Sequence, residues 1–431
     1  MSNSGEWRVV SDKYLKRKRA NKRFRLYGLA ALGFALLLLV LLLGSIFWQG
    51  ISGFQRAEIT LTVPSELPQT EQGGTIDYQA AVRAALQHHF PEVTTKKERR
   101  DVNTLLSIGA PYQLRDALPL VHPTEQGEAR SGGESEARGH SPITVRIATT
   151  DAVTLWLKGA LSPEMIQTRF NPHQVEMLQK LKNKGLLALH FNGGFFSEGD
   201  SREPELAGYA VGIIGSLWTI LVCLGVALPL GVMTAVYLEE FAPRHWINDM
   251  IEVNINNLAA VPSIVFGLLG LALYLNILGL PRGSALVGGL TLALLVLPVI
   301  IIATRAALRA VPPSIRDAAR GLGASELQVV MHHVVPLALP GMMTGVILGV
   351  ARALGETAPL LMIGMVAFIA DVPTLPTDPA TVMPVQIYLW ASSPEIGFVQ
   401  KTAAAIMVLL VMLLILNLTA VWLRNRFERR W

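Results

Sequence analysis

Two charged residues interrupt a predominantly apolar run at 341–370: Arg352 and Glu356. Four residues apart on a helix they share a face, so they can pair. Eleven residues beyond Gly341, at 1.5 Å each, place Arg352 ~16 Å along a helix and near mid-membrane. A charge there costs about 3 kcal/mol by insertion scales unless it faces protein or water. A guanidinium fork matches the oxygens of a tetrahedral oxyanion, so Arg352 is expected to attract an anion and Glu356 to hold or release it. The plain alternative is a structural ion pair. Thr357, next to Glu356, and Ser263, within Val-Pro-Ser-Ile-Val-Phe-Gly at 261–267, complete the expected substrate path. A second constellation precedes it: Asp317, Ala318 and Ala319, then Gly323, and thirteen residues later Pro336. A polar helix with a small-residue face can press into a partner's groove, and glycine permits a sharp turn beside it.

These residues need a membrane scaffold. Of 431 residues 51% are hydrophobic and only 16% charged, which points away from a soluble protein. Spans are expected at 26–48, 209–237, 258–278, 284–308, 341–370 and 402–423, each long enough for about 30 Å of hydrocarbon. Pro229, Pro298 and the 261–267 stretch are helix breakers, tolerated where neighbours or a cavity re-satisfy the backbone. The net charge of +5 is concentrated beside membrane segments, which argues for lipid anchoring rather than nucleic-acid binding. Lys13, Lys16, Arg17, Lys18, Arg19, Lys22, Arg23 and Arg25 precede the first span, and Arg424, Arg426, Arg429 and Arg430 follow the last. Both termini are therefore expected in the cytoplasm of a bacterial inner membrane. The loop after the second span departs from this bias, with Glu239, Glu240, Asp249 and Glu252 against Arg244, while Arg305, Arg309, Arg316 and Arg320 restore it in the next. The first span, about 23 apolar residues with no cleavage site close behind, reads as an uncleaved anchor. Cys223 has no partner for a disulfide.

The organisation expected is a basic segment at 1–25, an anchor helix at 26–48, an extracytoplasmic domain at 49–207, a five-span core at 208–423 with its coupling loop at 312–336, and a basic end at 424–431. The fold class is an all-α polytopic membrane protein of six spans carrying a small α/β domain between the first two. Within that domain 58–63 alternates as a strand, Ile76, Ala81, Val82, Ala85 and Leu86 have helical spacing, 143–157 suggests one or two strands, and 163–184 one amphipathic helix. The stretch 124–142 reads as a loop, and 191–208 as a packed aromatic turn. His88, His89, His122, His140, His173 and His190 lie there without ligand spacing, so no metal is expected.

Asp-Ala-Ala with its glycine resembles the EAA loop of ABC importer permeases, whose coupling helix docks on an ATPase subunit. Asp317 stands for the usual Glu, and His333 where a branched apolar residue is common. The chain has no G-x-x-x-x-G-K-[ST] and no Gly-Lys pair, so a P-loop must come from another polypeptide. Arg-Ala-Leu-Gly-Glu-Thr-Ala-Pro-Leu-Leu at 352–361, Val-Pro-Ser-Ile-Val-Phe-Gly-Leu at 261–268 and Tyr-Leu-Glu-Glu-Phe at 237–241 are similar to the PstA permeases of phosphate importers. The resemblance covers about half the chain, from 208 to 423. It implies a non-enzymatic subunit that binds no cofactor, with ATP and Mg used by an ATPase dimer (PstB-like). It also implies a PstC-like permease and a periplasmic phosphate-binding protein (PstS-like) as partners, with a phosphate-signalling regulator as a further one. In that family the arginine matching Arg352 lies in the phosphate path. Carriage of sulfate, molybdate or a phosphonate, and a role as a membrane phosphate sensor, are the alternatives.

Overall fold

The computed structural model describes residues 4–63, 76–90, 95–121, 143–243 and 245–427. The stretch 124–142, His122, His140, Arg244, Arg429 and Arg430 lie outside the described residues.

Helix α1 (Ser4–Gly53) carries the first apolar span, Ala20–Gly53, and continues unbroken from the basic segment, whose Lys and Arg are good helix formers. Its last turns are packed: Gly50 and Gly53 press on Ala403, Ala404 and Gln400 of the last helix, with no room for a side chain. Strand β1 (Gln55–Val63) follows directly and forms the centre of a three-stranded antiparallel sheet with β2 (Ile143–Ala148) and β3 (Leu187–Phe191), in the order β2-β1-β3. Ile59 pairs with Ile147 on one side and Leu187 on the other. Ala57, Ile59, Leu61 and Val63 face a core completed by α2 (Tyr78–His89), α3 (Lys96–Asn103), α4 (Ala110–Val121), α5 (Asp151–Leu157), α6 (Pro163–Arg169) and α7 (Pro172–Asn183). Two expectations are corrected. The second half of 143–157 is helix α5, because Thr150 turns the chain and Asp151 opens a helical first turn. The helix expected over 163–184 is two, since Pro172 starts a new one behind the Asn171–Gln174 capping box.

This unit is tied to the membrane helices by buried polar groups. The Lys158 ammonium donates to the carbonyls of Ser52 and Gln55 and to Gln400 Oε1, the last two at 2.9 Å. Asp151 accepts from the backbone N–H of Gly397, and its own N–H donates to Glu205 Oε2 at 3.2 Å. Burial pushes the carboxyls of Asp151 and Glu205 up and the Lys158 ammonium down to about 8. The 191–208 stretch, with the short α8 (Gly194–Ser197), is packed: Phe195, Tyr209, Trp390 and Phe398 form a chain of ring contacts at 5.5–5.6 Å. Arg202 lies over the Phe368 ring.

The remaining chain is helical: α9 (Ala210–Val236), α10 (Trp246–Ala259), α11 (Ser263–Gly270), α12 (Ala285–Arg309), α13 (Pro313–Gly321), α14 (Glu326–Gln328), α15 (Val335–Gly355), α16 (Ala358–Met362), α17 (Met383–Ala391) and α18 (Gly397–Phe427). Wider π-helical turns extend α9 at Tyr237–Phe241, extend α11 at Leu271–Ile277, and join α14 to α15 at Val329–Val334. Among the described residues five helices are long and apolar enough to cross a membrane, or six spans if the bent pair Trp246–Ala259 and Ser263–Ile277 is counted as one. That pair changes the span expected at 258–278, where the 261–267 stretch was read as a breaker: the chain turns by 100° at the break holding Pro262, which supplies no N–H to continue the first helix. The span expected at 341–370 instead covers Glu326–Gly355, and 356–370 leaves it.

Helix α12 packs between α9 and α15. Gly341, Gly345 and Gly349 repeat every four residues along α15 and meet Ala307, Ala303 and Val296 of α12, so the two backbones approach closely. We therefore expect Gly345→Leu to cost about 1–3 kcal/mol by overpacking and to lower the thermal unfolding midpoint of the purified protein. Gly225→Leu, where a Cβ meets nothing within 4 Å, should leave it unchanged.

Candidate substrate path and coupling loop

Helix α15 stops at Gly355 because Glu356 turns extended, with φ −78° and ψ 126°. Thr357 follows, and α16 restarts with Pro359 in its first turn, where a missing N–H costs nothing. Arg352 thus lies in the last turn of α15, at a break in the backbone, where a continuous span was expected. There a cation also offsets the unpaired carbonyls of the helix end. Its Nε is 3.6 Å from Glu356 Oε1, an ion pair too long for a hydrogen bond. Among the described residues Arg352 makes no hydrogen bond, and 37% of its side chain is exposed, against 19% for Glu356.

Thr357 is half-buried, and its carbonyl accepts from the N–H groups of Leu360 and Leu361. Ser263, also half-buried, is the first residue of α11 after Pro262. One turn on, Gly267 lies so close to Pro359 that an added Cβ would be 2.7 Å from its Cα, so α11 is seated against α16. The fold therefore brings the helix bearing Ser263 beside the break bearing Arg352, Glu356 and Thr357, without a hydrogen bond between Ser263 and any of the three. Behind Ala353 and Leu354 a small cavity is lined by Ser216 and Thr219 of α9, and the buried Thr219 hydroxyl has no partner. Sequence reading missed Thr219; nothing marks it among the residues of an apolar span.

The coupling loop expected at 312–336 is two helical pieces joined by a turn. Helix α13 ends at Gly321, Leu322 and Gly323 turn the chain, and Ser325 caps a second helix through a box with Gln328. Gly323 has φ +85°, a left-handed conformation that favours glycine. Ala319 is buried against Leu308, Val311 and Val329, while Asp317 and Ala318 face outward. Asp317 pairs with Arg320 at 3.3 Å, and Arg320 reaches Glu326 across the turn at 2.9 Å. Leu322 is 89% exposed, an apolar tip on a polar loop. Pro336 begins α15 and, with Ile315, His332 and His333, lines an apolar groove of about 760 Å³ under the end of α12.

The description "Binding-protein-dependent transport system inner membrane component" matches residues 227–431, and "Domain of unknown function (DUF3333)" matches 12–123. The phosphate transport system permease protein PstA 1 of Mycobacterium tuberculosis is 35% identical over 227 residues, 52% of this chain and 73% of its own. A probable phosphate transport system permease protein PstA of Methanocaldococcus jannaschii is 29% identical over 279 residues, 64% of this chain and 94% of its own. The inward-facing MetNI methionine ABC transporter superposes over 52% of this chain and 95% of that one, at 17% identity and a TM-score of 0.40. The matched membrane-component region, and 35% identity over 227 residues that cover 73% of such a relative, show that the chain belongs to the PstA family of ABC importer permeases.

Proposed function

We propose that this subunit forms half of the path of an ATP-driven inorganic phosphate importer. The observation that carries the reading is Arg352, a guanidinium with no hydrogen bond among the described residues, in the last turn before a helix break, in a chain of the PstA family. Phosphate would be taken by the donor fork of Arg352 and released past Glu356, Thr357 and Ser263. Like charge on the carboxylate keeps binding modest, which release requires. A PstC-like permease completes the path, a PstS-like protein delivers the ion, and a PstB-like ATPase dimer using ATP and Mg docks on Asp317, Ala318, Ala319, Gly323 and the segment up to Pro336. A phosphate-signalling regulator is a further partner. The protein sits in a bacterial inner membrane with both termini in the cytoplasm, the 49–207 domain outside and the coupling loop inside, which puts the ATPase where ATP is.

Uptake of labelled phosphate into vesicles holding the whole complex tests this. We expect uptake to require internal ATP and to ignore excess sulfate or molybdate. Competition by either ion would keep the architecture and overturn the substrate.

A further inference from the structure

Three glutamates and three arginines outside the substrate path form two adjacent groups: the pair Glu240–Arg316, and a cluster of Glu239 and Glu252 with Arg305 and Arg309. Glu240 and Arg316 are largely buried, with 8% and 16% of their side chains exposed. Arg316 Nη2 and Nε donate to the two carboxylate oxygens of Glu240 at 2.6 and 3.2 Å. Its Nη1 and Nη2 also donate to the carbonyls of Val311 and Leu308, at 2.8 and 3.0 Å, where α12 ends. Next to it Glu239 accepts from Arg305 at 3.2 Å and from Arg309 at 2.9 Å. Glu252 of α10 accepts from Arg305 at 2.8 Å and lies 3.7 Å from Arg309. The adjacent glutamates of the Tyr237–Phe241 turn thus serve different neighbours, Glu239 the end of α12 and Glu240 the start of α13. Consecutive helical residues point about 100° apart, so such a pair can bridge two elements but not grip one.

We infer that Glu240 and Arg316 are a positioning pair that carries movement of α13 into the second span. The inference rests on the proposed role of α13 as the contact with the ATPase. A two-pronged charge-assisted pair fixes orientation as well as distance. Arg316 also holds the last carbonyls of α12, so α13, α12 and the end of α9 move as one body when α13 is pushed. With one partner removed, the other is left buried and uncompensated, which loosens the joint.

The test uses the complete complex with spin labels at Ser314 of α13 and Met233 of α9, both exposed. In the wild type the distance between labels should be the same with and without ATP. In Glu240→Gln it should change on adding ATP, uptake should fall about tenfold, within the range of pairwise couplings between contacting residues, and the ATPase should still co-purify and hydrolyse ATP. Glu240→Gln combined with Arg316→Gln should be no worse than the worse single variant. If Glu240→Gln gives no folded protein, Arg316→Lys, which keeps the charge and loses the fork, carries the same expectation. Normal uptake with a constant distance, or losses that multiply in the double variant, overturns the pair's role alone. An ATPase that docks and drives uptake in a wild-type complex without touching α13 would overturn the coupling assignment and this role with it.

Discussion

Arg352→Gln is expected to reduce ATP-driven phosphate uptake about a hundredfold while the complex still assembles. Two charge-assisted hydrogen bonds to a phosphate oxyanion, at about 1.5 kcal/mol each net, account for a change of that size. The fold should tolerate the change, because Arg352 is partly exposed and its ionic contact to Glu356 is long. Glutamine keeps the stem and a polar head but loses both the charge and the fork. Arg352→Lys separates those two contributions, since it keeps charge without the planar donor pair, and should fall between wild type and glutamine. Wild-type uptake in Arg352→Gln would make the residue structural and move the path elsewhere.

Gly323→Val is expected to separate ATP hydrolysis from transport. Valine in the left-handed region costs about 1–3 kcal/mol, and since a Cβ there meets nothing within 4 Å, the penalty is one of backbone conformation alone. The loop would relieve it by re-aiming the turn between α13 and α14, displacing Leu322 and the Arg320–Glu326 pair that spans it. Uptake should then drop between about fivefold and about a hundredfold, the range that 1–3 kcal/mol implies, with membrane insertion unchanged. Gly321→Val is the matched control: it too has open space around its Cβ but closes an ordinary helix. If both variants transport normally, the turn is not what the ATPase engages.

Much of the architecture was legible because the signals are local. A run of twenty apolar residues must span or be buried whatever surrounds it, so the spans could be read directly, and period-two alternation marked β1. The unusual residues could also be read: a guanidinium in an apolar run, a glycine beside a small-residue helix, and two glutamates where arginines were expected. Their arrangement could not be read. Pro262 in an apolar run looks like a tolerated kink, yet the chain turns by 100° there, and α11 is seated with Gly267 against Pro359. The same applies to 356–370, apolar enough to prolong a span but folded away after Gly355 once α16 packs on α11 and α12. By composition the loop holding Glu239 and Glu240 seemed to contradict the charge bias of its side of the membrane. Arg305, Arg309 and Arg316, from 66 to 76 residues along the chain, resolve that contradiction. By itself the sequence determined which stretches are apolar enough to cross a membrane and which residue types are available for chemistry, since hydropathy and periodicity are sums over neighbours in the chain. Tertiary structure alone decided where each helix ends, which backbone opens at Arg352 and which glutamate meets which arginine, since those depend on contacts between residues the chain keeps far apart.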